Sequence, residues 1–90
     1  MNIKYECKKN IDILEIDNDW IIMDTETFTV TKINAIGAYI LNGVKEQREI
    51  EDIIGSIATD YDIELNVART DTLAFLKELE EISLIRNERI

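Results

Sequence analysis

The sequence predicts an α+β domain in which a three-stranded antiparallel sheet is followed by three helices. Three observations point there. Apolar and β-branched residues alternate with period two through the first third of the chain, and turn-forming residues at Asn18-Asp19 and Asp24-Thr25-Glu26 divide that third into short runs. From Asn34 onward the apolar period lengthens to that of a helix.

Residues 1–10, MNIKYECKKN, are polar and weakly patterned and read as an N-terminal arm, with the domain proper over 11–90. Strands are expected near 11–16 and 20–24, because β-branched and aromatic runs flank Asn18-Asp19, two residues that tolerate the positive φ angles of a tight hairpin. A turn at Asp24-Thr25-Glu26 leads into a third strand near 27–33, which completes a meander. Asn34 can then cap a helix over 35–42, where Ile36, Ile40 and Leu41 recur at helical spacing and Gly43 suits the position just past the end. Ile50, Ile53, Ile54, Ile57 and Ala58 form the apolar stripe of a second helix over 49–60. Gly55 inside it costs about 1 kcal/mol relative to Ala unless another backbone packs closely there. A third helix over 65–82 turns Leu65, Ala68, Phe75, Leu76, Leu79 and Ile82 to one broad face, and the tail from Leu84 is expected to be extended. Three strands with one apolar face need a cover, which the helices supply.

Composition narrows the function. A chain of 90 residues buries only about 60–65% of the surface its unfolded form exposes, so a deep enclosed active site is hard to fit. Hydrophobic residues make up 46%, enough for collapse despite a net charge of −9. Carboxylates outnumber basic side chains 19 to 10, which disfavours nucleic acid and anionic membrane surfaces as partners. The lone Cys7 cannot form an internal disulfide, no apolar run is long enough to span a bilayer, and the N-terminus lacks the apolar core of a signal peptide. A cytoplasmic protein is expected.

Little in the chain suits catalysis. There is no histidine, which removes the commonest general base and zinc ligand. Cys7 has no identifiable base and reads as an ordinary free thiol. Asp17-Asn18-Asp19 lacks the glycine and distal glutamate of a calcium loop and reads as a turn. Glu49, Glu51 and Asp52, like Glu78, Glu80 and Glu81, lie on helices whose other faces are apolar, as solvated surfaces do. The glycines at 37, 43 and 55 are isolated, so no loop cradles phosphate. No cofactor, metal or enzymatic activity is expected.

The third strand is the informative one. Thr27-Phe28-Thr29-Val30-Thr31 has one apolar and one hydroxylic face. Threonine is a good exposed strand residue, which accounts for the composition but not for what pairs with the outer backbone groups if this strand ends the sheet. Such an edge is a template for strand addition by a peptide. Trp20 and Phe28 read as core residues, with stacking on a ligand as the alternative. On the third helix Arg69, Leu73, Leu76 and Glu80 share a face, and Leu73 either walls a groove or widens the core stripe.

These residues also carry a resemblance. Asp24 at the second turn, Ile33-Asn34, Gly37 and Ile40-Leu41 before Gly43 are followed by Tyr61-Asp62-Ile63, Asp71, Phe75-Leu76 and Leu79. In that order and spacing, over residues 11–85, the chain resembles the PqqD-like family of leader-peptide recognition elements, which serve pathways for ribosomally made, post-translationally modified peptides. The pattern looks closest to the stand-alone proteins of lasso-peptide clusters, although relatives that feed radical-SAM enzymes look similar. Glu64, where a better-capping Asp or Ser is usual, and Ser83, where Gly is common, depart from it.

The resemblance implies a winged-helix-like domain without catalytic activity, which binds the leader of a precursor peptide as a strand added to its third strand. It implies a groove closed by the third helix and delivery to a modifying enzyme such as a leader protease or a radical-SAM enzyme. Carried over, the peptide-binding residues are Phe28, Thr29, Val30, Thr31 and Lys32 on the strand, with Arg69, Leu73, Leu76 and Lys77 on the helix. Arg69 and Lys77 would select acidic leader residues. The chain is expected to be a monomer or a dimer. The alternative is a DNA-binding winged-helix regulator, which the charge balance disfavours.

Overall fold

The computed structural model describes residues 4–87 and contains strands β1 (Tyr5–Cys7), β2 (Ile11–Ile16), β3 (Asp19–Asp24) and β4 (Thr29–Ile33). Helices α1 (Ala35–Lys45), α2 (Ile50–Asp60) and α3 (Leu65–Glu81) follow, and β5 (Ile85–Asn87) ends the described chain. The three-stranded antiparallel sheet followed by three helices is the expected α+β fold, with β2-β3-β4 in sheet order. A second, two-stranded sheet pairs β1 with β5 in antiparallel register, Tyr5 opposite Asn87 and Cys7 opposite Ile85.

Of the stretch expected to be an arm, residues 1–3 lie outside the described residues, and Tyr5–Cys7 is strand β1, paired with β5. Tyr5 is buried in the core and Lys8 donates its backbone N–H to the Leu84 carbonyl at 2.9 Å. Three alternating residues are too few to show a period, and their partner lies at the far end of the sequence. The extended tail expected from Leu84 is present as β5.

The first hairpin turns on Asp17 (φ 52°) and Asn18 (φ 69°), both in the left-handed conformation that a two-residue type I′ turn requires. The turn therefore sits one residue earlier than expected, and Asp19 joins β3. After β3, the Asp24 carboxylate folds the chain back by accepting from the backbone N–H groups of Glu26 (2.9 Å) and Thr27 (3.3 Å). Phe28 (φ 57°) is the last residue of this loop rather than part of the strand, so β4 starts at Thr29.

Asn34 caps α1 as expected, its Oδ1 accepting from the Gly37 N–H at 2.7 Å. Gly43 does not end the helix. It lies within α1, where an added Cβ would meet Ile53 Cδ1 at 2.8 Å, so its smallness lets α2 approach. The helix ends instead with Gln47 (φ 61°), where the Arg48 N–H bonds the Gly43 carbonyl and the Gln47 N–H bonds that of Val44. That pair of bonds is a Schellman motif. The ends of α2 and α3 place Asp62 (φ 52°) and Ser83 (φ 63°) in the same left-handed position, with Ile63 N–H on the Ala58 carbonyl and Leu84 N–H on that of Leu79. All three helices thus stop on non-glycine residues. Gly55 has no heavy atom within 4 Å of a built Cβ, so no close backbone explains it.

The core joins Ile11 and Ile22 of the sheet to Ile40, Leu41 and Val44 of α1, the isoleucines of α2, and Ala68, Leu76 and Leu79 of α3. Thr72, 1% exposed, completes the buried line of α3. Leu65 and Ile82, expected on that line, are exposed.

Candidate functional site

The register decides which face of β4 looks inward. Thr29 pairs with Asp24 and Thr31 with Ile22, while Ile22 pairs with Ile13 and Asp24 with Ile11. Directly paired residues share a face, so the threonines lie on the side of the sheet that carries the buried Ile11 and Ile22. Val30, opposite Met23, lies on the outer face with Leu14 and Ile16, all exposed. Phe28 is 89% exposed, which corrects its reading as a core residue, and Trp20 is half-buried.

β4 is the edge of its sheet, bonded to β3 on one side, and among the described residues no strand occupies the other. The opposite edge, β2, is partly blunted: Lys45 Nζ donates to the Ile11 carbonyl at 2.9 Å, and Asp12 and Glu15 carry charge along it. Lys32 is exposed and reaches Asp19 Oδ1 at 3.5 Å, an ion pair between solvated groups.

The helix beside β4 is α3, and two contacts fix which of its sides faces the strand. Where β4 gives way to α1, an added Cβ on Gly37 would lie 2.9 Å from Phe75 Cζ. At the other end of β4, Asp24 is opposite Thr29 and bonds Lys8 Nζ at 2.9 Å, and Lys8 N–H in turn holds the Leu84 carbonyl just past α3. β4 and α3 therefore run in opposite senses. The side of α3 toward the strand is the row Phe75, Glu78 and Ile82, spaced i, i+3, i+7. The main contacts of α3 are with α2, β5 and α1, and α3 does not pack closely on β4.

The helical residues named from sequence fall elsewhere. Leu76 is fully buried, behind the wall rather than on it. Arg69 Nη1 bonds Glu51 Oε2 of α2, and this contact lowers the Glu51 pKa and raises that of Arg69. Leu73 and Lys77, four and eight residues on, lie toward the same shoulder, exposed, with the Thr72–Leu76 line between them and Phe75. The structure brings Phe28, Thr29, Val30, Thr31 and Lys32 together but places Arg69, Leu73 and Lys77 across α3 from them. Phe75, Glu78 and Ile82, the row on the other shoulder, were not among the peptide-binding residues named from sequence. Helical spacing alone does not tell the two shoulders apart; the contact between Gly37 and Phe75 does.

The turn before β4 is fixed by charge. Lys8 Nζ lies 2.9 Å from Asp24 Oδ2 and 3.2 Å from Glu26 Oε1. The hydrogen bond from Lys8, helped by the Glu26 and Thr27 amides, holds the Asp24 carboxyl down to about 2. Burial pushes the Cys7 thiol up, away from nucleophilic character. Among the described residues no three acidic or thiol groups converge as metal ligands, and no helix is long and apolar enough to cross a membrane.

Comparison with known families decides the lineage. The profile of the family described as coenzyme PQQ synthesis protein D (PqqD) matches residues 19–85. The chain belongs to the PqqD family. That match runs from the first residue of β3 into β5 and so includes both the open edge and α3. Two solved structures share the fold. TbiB1 in complex with the TbiA(beta) leader peptide is 21% identical with a TM-score of 0.77, over 90% of this chain and 94% of that one. Lasso peptide synthetase B1 complexed with the leader peptide is 17% identical with a TM-score of 0.79, over 92% and 98%. No curated protein sequence matches this PqqD-family chain.

Proposed function

We propose that this PqqD-family protein is a non-catalytic adaptor. It binds the leader segment of a precursor peptide as a strand added to β4 and presents it, in the cytoplasm, to a modifying enzyme such as a leader protease or a radical-SAM enzyme. The observation that carries the reading is the outer edge of β4, which no strand among the described residues occupies, beside a helix that does not pack closely on it. Main-chain hydrogen bonds to residues 29–33 supply affinity, and side chains at alternate positions of the guest select for what fits between Thr29, Thr31 and the Phe75–Ile82 row. Guest contacts with Arg69, Leu73 or Lys77 require a peptide that continues over α3 to its other shoulder. The solved PqqD-like folds with bound leader peptides support the same reading.

Hand-over needs a second surface. The outer sheet face exposes Leu14, Ile16 and Val30 in a chain of net charge −9, a contrast that suits contact with an enzyme. The test is calorimetric titration with leader peptides of short precursors encoded beside this chain's gene. One-to-one binding without turnover of the peptide is expected. Absence of binding to every such leader, together with salt-sensitive binding to duplex DNA, would overturn the reading.

A further inference from the structure

The protein has six aromatic side chains, and three of them, Trp20, Tyr39 and Tyr61, line one cleft of about 210 Å³ between the start of β3, the exposed side of α1 and the end of α2. The rings of Tyr39 and Tyr61 meet edge to face with centroids 6.1 Å apart. Strand addition to β4 does not use this cleft. It is too small for a drug-sized ligand and large enough for one side chain.

Glu46 and Arg48 are its charged lining residues, and two helix C-termini point at it. Glu46, the C-cap residue of α1, stands on the lip, and Tyr61 is the C-cap residue of α2, so two helices direct their negative ends at the same place. Asp60 Oδ2 accepts from the Tyr39 hydroxyl at 3.4 Å, which adds a second carboxylate beside the rings. Arg48 also lines the cleft, but its guanidinium is held on α2 by the Ser56 hydroxyl at 2.9 Å and the Asp52 carbonyl at 3.4 Å. Aromatic faces with carboxylates and helix C-termini behind them favour a cation.

The cleft adjoins the end of β4. A second depression, lined by Lys32, Ile33 and Asn34 at the end of β4, shares Trp20 and Ala35 with it. Trp20 is opposite Ile33 in the sheet. A chain that runs on past Ile33 and turns round Asn34 and Ala35, at the start of α1, reaches the aromatic cleft.

We propose that this cleft receives an Arg or Lys side chain that the guest peptide carries just beyond its strand-paired stretch, on the Ile33 side. The inference rests on the peptide-adaptor reading and adds a charge requirement to it. Small cations free in solution share the chemistry but not the tether.

The experiment selects peptides from a displayed random library on the full 90-residue chain and measures the enriched sequences as free peptides. Enriched peptides should carry Arg or Lys at a fixed distance from a stretch of alternating residues. Replacing that residue by Ala should cost at least fivefold in affinity and abolish the change in emission of Trp20, the only tryptophan. Glu46→Lys and Tyr61→Ala, both at exposed positions, should weaken the basic peptide and leave its Ala version unchanged. If basic and Ala peptides bind alike, yet both are weakened by Ile82→Asp in the groove wall, the cleft assignment is wrong and the adaptor reading stands. If Ile82→Asp changes nothing for any selected peptide, the groove falls and this inference falls with it. Equal strengthening of Trp20 emission changes by untethered N-acetylarginine amide and by the peptide, at equal concentration, would also overturn the tethered role.

Discussion

Lys8 Nζ lies 2.9 Å from Asp24 Oδ2, so a side chain from the segment between the two sheets fastens the turn from which the open strand β4 departs. The same Asp24 carboxylate accepts from the Glu26 and Thr27 amides. Sheet edge, turn and N-terminal segment are therefore one unit, and a change at any of them is felt at β4.

That unit gives stability a defined acid limb. The Asp24 carboxyl is lowered from 3.8 to about 2, first by Lys8 and then by the two amides. Its folded value lies below its unfolded one, so its contribution is fully present above pH 3.8 and is lost as pH falls toward 2. Asp24→Asn should lower the melting temperature at pH 7 and flatten its decline between pH 4 and 2. Thermal melts of both proteins across that range check it, and parallel curves would contradict it.

The glycines separate by what surrounds them. Gly55 has open space, so Gly55→Ala should stabilise by about 1 kcal/mol through helix propensity. A Cβ added at Gly37 would lie 2.9 Å from Phe75 Cζ, so Gly37→Ala should incur overpacking of about 1–3 kcal/mol and a net loss. Urea denaturation of the two variants should shift the midpoint in opposite directions.

Phe28 holds both strain and exposure. A bulky residue in the left-handed region costs about 1–2 kcal/mol, and Phe28 does so while 89% exposed. Ser83 has the same backbone conformation at the end of α3. Phe28→Gly and Ser83→Gly should both raise the melting temperature, and only Phe28→Gly should weaken leader binding. Calorimetry with one leader peptide distinguishes them; equal affinity for both variants would remove Phe28 from the site.

The two shoulders of α3 can be told apart directly. Ile82→Asp places a charge on the side toward β4 and should weaken leader binding at least tenfold, about 1.4 kcal/mol. Leu73→Asp, on the side that meets α2, should leave it within twofold. Both residues are exposed, so both variants should fold, and the reverse ranking would restore the Leu73 shoulder as the wall.

Much of this was legible in the sequence because local chemistry wrote it. Asn34 signalled the start of α1 through a side-chain cap, and the isoleucine stripe of α2 is buried as its period requires. Gly43 misled because glycine suits both a helix end and a close helix contact, and here it serves the contact with Ile53. Leu76 and Leu73 are three residues apart, and sequence spacing alone puts them on one face. Only the contacts of Arg69 with Glu51 and of Phe75 with Gly37 show where that face ends. The β1–β5 pairing joins segments about 80 residues apart, beyond the reach of any local pattern.

Amide hydrogen exchange with and without a bound leader peptide tests the central claim most directly. Strand addition to β4 predicts new protection at backbone amides within 29–33 and none along β2. Protection confined to β2, or binding with no change at β4, would contradict it.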